Sequence, residues 1–554
     1  MGEAGGEHIL FRKLKKPLKP AALKMRRQEA QLAAVRPGPE ILAEPLTSDL
    51  ETNVRRFKEL FGEASDLVTR EFCLGTRQEI RVVLIFIDGL VDKGAVSEAV
   101  LKPFFFRSLG EDRSKILPGN AFELIRNYLV TSADIKEADR VGKVLDMVLV
   151  GHLALFVEGA SKALLVDAKG WKDRGVEEPE AEAFVRGSRE GFTETLRTNT
   201  ALVRRRIKTP RLQSRSYSVG RFTKTDVCVM YIEGLANPAT VEEVGRRIQS
   251  IDTDGILESG YIEDFIRDNY RTPFVLLDRT ERPDKVAGAL LEGRVAILVD
   301  STPFALIVPV VFSEFLQSPE DYYEGPGFIR LLRWAAFLLT LSLPSLYVAL
   351  TTFHQEMIPP SLALSMAAGR EGVPFPAVVE AFMMEAAFDF LREAGIRMPR
   401  PIGQAVGVVG AIVLGQAAVA AGIVSPFMVI VVAFTAIASF LIPNYSASIA
   451  VRVLRYPMLF LAGAFGLVGV FWGFMILLLH LASLRSFGVP YLYPLAPAVP
   501  GEWRDVFVRT PWWTFQRRPR LFRAPDYERQ ASGQRPEPPP VRPRRESGRA
   551  GGGG

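Results

Sequence analysis

The sequence predicts an α/β soluble N-terminal region, built from two related subdomains, followed by an all-α multispan transmembrane bundle. Three observations lead there. Residues 331–484 hold several long apolar runs, and about 20 residues rising 1.5 Å each cross a hydrocarbon core. Residues 83–100 and 229–244 repeat one strand–turn–helix pattern. A chain of 554 residues also exceeds what one core supports, so two or three domains are expected.

The N-terminal 48 residues read as a basic flexible tail. FRKLKKPLKPAALKMRR (11–27) has no apolar run behind it, so it is no secretory signal, although its charge suits an anionic lipid surface. Residues 491–554 read as a basic C-terminal tail, and RPEPPPVRPRRESGRAGGGG at its end has the composition of disorder. The net charge of +6 sits largely in these tails and accompanies no nucleic-acid module, so no nucleic-acid partner is expected. Cys73 and Cys228 form neither a metal spacing nor a disulfide framework and read as buried thiols in a reducing compartment. His8, His152, His354 and His480 are scattered, so no metal centre is expected, and no cofactor motif is present.

The first subdomain, with its linker helix, is assigned to residues 49–214 and the second to residues 215–305. VLIFIDGLVDKGAVSEAV (83–100) and VMYIEGLANPATVEEV (229–244) align at Gly89 and Gly234. Ile87/Ile232, Leu90/Leu235, Val96/Val241 and Glu98/Glu243 then coincide. EGASKALLVDAKG (158–170) also resembles EGRVAILVDSTP (292–303), each with an apolar strand ending in an aspartate, Asp167 or Asp300. Continuous apolar strands followed by helical periodicity favour sheets covered by helices. Between the subdomains, residues 193–207 suit a helix carrying Arg197, Arg204, Arg205 and Arg206. Three adjacent arginines point around a helix, so a solvated or subunit-pairing helix is expected rather than an anion site. There is no P-loop, complete GxGxxG, GxSxG or HExxH, and the Asp-Gly and Glu-Gly pairs read as turns, so no enzyme is expected.

The membrane domain is assigned to residues 306–490, preceded by a run at 295–315 that Asp300, Pro303, Pro309 and Glu314 interrupt. Spans are expected at 331–353, with Pro344 inside it, and at 402–424, 427–442 and 458–483. Ser425-Pro426 makes a tight turn that sets two of them antiparallel. Gly403, Gly407 and Gly410 fall on one face, as do Gly466, Gly469 and Gly473. Small residues at this spacing allow close helix packing, and a glycine-lined pore wall is the alternative. Residues 374–391 carry Glu380, Glu385 and Asp389. At about 2.5–3.5 kcal/mol per mid-bilayer charge, this segment is expected to be re-entrant or interfacial. Its carboxylates either pair with Arg392, Arg397 and Arg400 or line the entrance of a cation path. Arg330 and Arg333 before the spans, and Arg504, Arg509, Arg517 and Arg518 after them, favour a cytoplasmic side for both ends. Four spans satisfy that but leave Arg392, Arg397, Arg400, Arg452 and Arg455 outside, whereas a fifth span would expel the C-terminus.

GIRMPRPIGQAVGVVGAIVLGQAAVAAGIVSPFMVIVVAFTAIASFLIPNY (395–445) closely resembles the core of the A subunits of GerA-type spore germinant receptors. RGSREGFTETLRTNTALVRRRI (186–207) and HLASLRSFGVPYLYPLAP (480–497) do so too, and the resemblance covers roughly residues 45–520. Ser188 stands where that family usually shows proline. The resemblance implies a multi-pass protein of the endospore inner membrane. It implies a transporter-like B subunit and a lipoprotein C subunit as partners, and a homo-oligomeric ring whose pore releases cations when germinant binds. A SpoVAF-like paralogue supporting dipicolinate or ion release belongs to the same family type. On this view residues 402–424, with Gln404 and Gln416, form a pore wall, and Glu380, Glu385 and Asp389 form its charged mouth. A secondary transporter is a different reading, but the spans show no inverted repeat. A scaffold with the spans as anchor is a third.

Overall fold

The computed structural model describes residues 39–74, 80–103, 121–126, 135–170, 179, 182, 186–323, 327–398, 410, 415–522 and 524–536. The first unit starts with helix α1 (Leu50–Phe61), whose N-terminus is capped by Asp49 accepting from Thr52 N. Strands β1 (Leu67–Leu74), β2 (Ile80–Ile87), β3 (Ile135–Ala138), β4 (His152–Val157) and β5 (Ala163–Asp167) follow, with helix α2 (Val141–Leu149) between β3 and β4. They form one antiparallel sheet in the order β1-β2-β4-β5-β3. Val83, Ile85 and Ile87 meet Phe57, Phe61, Val144 and Val148 on one face. Val82, Leu84 and Phe86 meet Val96, Val100 and Ile125 on the other. Both faces are covered, which is why β2 reads as a continuous apolar run.

Helix α3 (Leu196–Arg206) leads into a second unit of the same design. Its elements are β6 (Leu212–Val219), β7 (Thr225–Ile232), α4 (Pro238–Gln249), α5 (Ser259–Ile266), β8 (Asp278–Thr280), α6 (Pro283–Leu291), β9 (Val295–Val299) and β10 (Ala305–Val308). The sheet order, β6-β7-β9-β10-β8, repeats the first with every strand in its equivalent place. The match between β2 and β7 is therefore structural. The second match needs correction, because 158–170 on 292–303 sets β5 over β9, one strand out of step. The equivalent segments are GHLALFVEGASKALLV (151–166) and GRVAILVDSTPFALIV (293–308). In that register Gly151 and Gly293 both have φ 93°, while Gly159 (φ 82°) and Ser301 (φ 69°) turn the two hairpins. Two adjacent strands buried on both faces look alike in sequence, so apolarity alone could not choose the register.

The arginines of α3 are not solvated as expected. Arg204 is buried in a bidentate pair with Asp66, its Nη2 2.6 Å from Oδ1, and Ser214 Oγ donates to the same oxygen at 2.8 Å. Arg205 and Arg206 both reach Glu190, at 3.3 and 2.5 Å. The pair joins the start of β1, α3 and β6, and so ties the two units together. A Cβ on Gly89 would lie 2.8 Å from Arg197 O, and its φ of 88° also requires glycine, so this turn lets α3 lie flat on the first unit.

The C-terminal region holds α7 (Ile329–Phe353), α8 (Pro360–Arg370), α9 (Ala377–Arg397), α10 (Pro426–Phe440) and α11 (Tyr445–Ser483). Among the described residues, α7 and α11 are long and apolar enough to cross a membrane, and α10 is a shorter apolar helix. The region shares one core with the second unit, in which Phe274, Phe312 and Tyr491 lie with Phe337, Leu341 and Val451.

The span expected at 458–483 is not a single rod. Gly466 breaks α11 with φ 60° and ψ −140°. A Cβ on Gly473 would fall 2.2 Å from Met458 Sδ, although a straight helix would separate these residues by about 22 Å at 1.5 Å per residue. The two arms therefore fold back on each other. Asn444 Nδ2 donates to Asp278 at 3.1 Å where α11 starts, and His480 meets Thr272 Oγ1 at 2.9 Å where it ends. Gly466 lies at the opposite level, beside Phe353 and His354 at the end of α7.

Described residues of the basic tail assigned to 491–554 pack on the rest of the chain. Tyr491, Val506, Phe522 and Ala524 are buried. Asp505 accepts from Tyr322 OH at 2.5 Å and pairs with Arg330 at 2.8 Å. Arg294 covers the Phe522 ring at 4.5 Å, and Arg529 pairs with Glu292 at 3.5 Å. Aromatic and arginine contacts hold this strap on the second unit, and its composition of Pro and Arg concealed them.

Candidate functional site

The three carboxylates of α9 lie inside the helical region, each with its own partners. Glu380 is fully buried. Its Oε1 accepts from Ser425 N and Ser425 Oγ, both at 2.5 Å, while Arg370 Nε stands 3.8 Å from Oε2. Ser425 is the N-cap of α10, so Glu380 sets a negative charge at a positive helix terminus. Tyr347 OH, from α7, lies 3.4 Å from Ser425 Oγ.

One turn further along α9, Glu385 is buried against Arg455 of α11, with Oε2 2.6 Å from Nη1. Asp389 accepts from Tyr456 OH at 2.8 Å and lies 3.6 Å from Arg452 and 3.9 Å from Arg455. The two acids are four residues apart on α9 and the two arginines three apart on α11, so each pair lies on one helix face. Cations on one helix thus neutralise anions on its neighbour, which lets both pass through apolar surroundings. Glu380 Oε2 and Glu385 Oε1 accept no hydrogen bond among the described residues.

The expected partners differ from these. Arg392 donates to Ser439 Oγ at 2.8 Å and covers Phe440 at 4.3 Å, Arg397 pairs with Glu393 at 2.8 Å, and Arg400 lies outside the described residues. Arg452 and Arg455, read as loop charges in the sequence, are instead the interhelical partners. Arg330 and Arg333 are not free charges either, since both pair with Asp321, at 3.0 and 2.8 Å.

Gly403, Gln404 and Gly407 lie outside the described residues. Gly410 faces Leu391 of α9, and Gln416 is exposed and takes no part in the carboxylate network. Gly466 forms the bend in α11, while Gly469 and Gly473 lie against Leu461 and Met458 of its other arm. Gly463, not singled out in the sequence, lies against Val378 of α9.

The contacts also order the helices between two levels. Glu380 and Ser425 share the far level, where Gly422 lies beside Gly372. Arg392 and Ser439 share the level of the soluble units, because Asn444 follows α10 directly and binds Asp278. Helices α7, α9 and α10 and both arms of α11 each run from one level to the other.

A duplicated α/β region docked on a helical bundle, with membrane-length helices and a buried network of carboxylates and arginines, defines a membrane-associated protein with a large soluble portion. The chain belongs to the Bacillus/Clostridium GerA spore germination protein family, whose model matches residues 55–521. It is 44% identical over 482 residues to the "Uncharacterized membrane protein YfkQ" of Bacillus subtilis, covering 86% of this chain and 92% of that one. It is 44% identical over 496 residues to spore germination protein KA of Bacillus subtilis, covering 89% and 90%. The solved N-terminal domain of the A subunit of the Bacillus megaterium spore germinant receptor GerK3 is 40% identical, with a TM-score of 0.39, and covers 49% of this chain and 98% of its own.

Proposed function

We propose that this chain is the A subunit of a nutrient germinant receptor in the endospore inner membrane, where copies of it form a germinant-gated cation channel with transporter-like B and lipoprotein C subunits. Family membership supports the germination role. The observation that favours ion conduction is the network of Glu380, Glu385 and Asp389, buried between helices and linked to Arg452 and Arg455. Ionisable groups at such depth mark ion paths in membrane proteins, and a rearrangement that parts α9 from α11 would expose carboxylates to a passing cation. Residues 402–424, with Gln404 and Gln416, complete the wall on this reading.

The fold-back at Gly466 supports a multi-pass chain with both ends on one side. Five described segments cross between the two levels. The start and the end of α11 share the level of the second unit, and Arg392 lies at that level as well. That agrees with a cytoplasmic N-terminal region.

The test is reconstitution. The purified chain, together with its transporter-like and lipoprotein subunits, is placed in vesicles loaded with potassium. Germinant-dependent release of the ion is the expected result, and intact vesicles with assembled subunits but no release would refute conduction by this complex.

A further inference from the structure

Helix α5 is apolar on two faces. Ile262 and Ile266 are fully buried in the core of the second unit. Tyr261 and Phe265, one turn apart on the outer side, are 46% and 53% exposed, and Leu257 and Tyr270 flank the helix at 66% and 67%. A helix bordering water carries polar groups on its outer face, whereas here large apolar side chains lie close together.

Their position says what covers them. Glu263 of α5 pairs with Arg279 at 3.5 Å, and Arg279 Nη2 donates to Ser446 Oγ at 2.5 Å in the first turn of α11. Thr272, just beyond Tyr270, meets His480 in the last turn of α11. The segment is therefore fastened to both ends of the hairpin, at the level where the helices leave the soluble unit. Tyr445 and Val453 on the first arm of α11 are exposed too. Of the acids beside these side chains, Asp264 pairs with Arg267 at 3.2 Å and Asp268 with Arg247 at 2.6 Å, while Arg271 is exposed and donates to Tyr270 OH at 2.9 Å.

We infer that α5 and its flanks lie in the headgroup region of the bilayer, with Leu257, Tyr261, Phe265 and Tyr270 inserted between lipids and Arg271 facing phosphate. The inference rests on the reading of α7 and α11 as membrane-crossing. Aromatic side chains prefer this zone because it offers an apolar environment at one end and water at the other. Such a contact would fix the second unit against the membrane surface, so that a movement in it is passed to α11.

The test uses the full chain with Cys73→Ser, in vesicles of phosphatidylethanolamine and phosphatidylglycerol. A fluorophore is attached at Phe265→Cys, with Tyr261→Cys as a second position, Ile476→Cys midway along the second arm of α11 as a membrane control and Arg55→Cys on α1 as an aqueous control. The expected result is quenching at 265 and 261 by lipids spin-labelled near the headgroup, with little quenching by aqueous iodide. Quenching by iodide and not by lipid would overturn the inference. Protection from both quenchers, with cross-linking between copies at 265, would overturn it in favour of a second copy of the chain. If Ile476 is not quenched by lipids spin-labelled deep in the acyl chain, the membrane reading fails itself. Quenching at Ile476 without quenching at 265 rejects only the placement of α5.

Discussion

Removing the guanidinium of Arg455 should destabilise the bundle far more than removing the charges of both partners together. Glu385 Oε2 and Arg455 Nη1 lie 2.6 Å apart, and both side chains are almost fully buried. At an effective dielectric of about 20, their direct attraction is about 6 kcal/mol, before the opposing cost of desolvating each ion. Arg455→Met leaves Glu385 unpaired and takes away one of the two arginines near Asp389. The expected cost is about 3–5 kcal/mol, a factor of roughly 10² to 10³·⁵ in the folded ratio. Glu385→Gln alone should cost less, because Arg455 still faces Asp389 at 3.9 Å. The double variant Glu385→Gln with Arg455→Met should recover most of the loss. The assay is a denaturant titration of the full chain in mixed micelles, giving the four corners of a double-mutant cycle. Single variants that each cost under about 1 kcal/mol, or a double variant no better than Arg455→Met, would refute a neutralising pair.

Other perturbations separate the remaining parts of the argument. Gly466→Ala sets a side chain at φ 60° and within 2.9 Å of Phe353 Cβ, so it should open the fold-back at a cost of at least about 1–2 kcal/mol. A short cross-linker between cysteines at Met458 and Gly473 should form in the parent chain and be lost in that variant. Arg204→Ala strands the buried Asp66 and should cost about 3–5 kcal/mol, seen as faster proteolysis between the two soluble units, with Asp66→Asn milder. Glu243 supplies a pH test. Hydrogen bonds from Arg246 and then Arg247 hold its carboxyl down to about 2, below its unfolded value of about 4.3. Its contribution is therefore complete above the unfolded value and is lost as pH falls toward 2. The Tm gap between the parent and Glu243→Gln should shrink between pH 6 and pH 3, and a gap that widens on acidification would contradict the assignment.

Much of the design was legible in the sequence. The repeat of 83–100 in 229–244 could be read because Gly89 and Gly234, at φ 88° and 74°, punctuate both strands where other residues are strained. The pairing of the hairpins slipped because β4, β5, β9 and β10 are all apolar runs, and such runs carry no register. Glu380, Glu385 and Asp389 stood out because charge is costly among apolar residues, but their partners come from α8, the N-cap of α10 and α11, beyond the reach of local spacing. The signal that could have found them is the Arg452–Arg455 spacing in an apolar helix, which mirrors Glu385–Asp389. The bend at Gly466 was hidden inside a glycine stripe that also suits straight helix packing. The strap escaped notice because buried arginines on aromatic rings look, in composition, like a solvated tail.

The charge-free pair gives the most direct check on the central claim that these buried carboxylates serve ion release as well as folding. Spores carrying Glu385→Gln with Arg455→Met should hold the protein at the parent level in their membranes, yet release cations late or not at all when germinant is added. Cation release at the parent rate, from spores with the parent amount of protein, would contradict it.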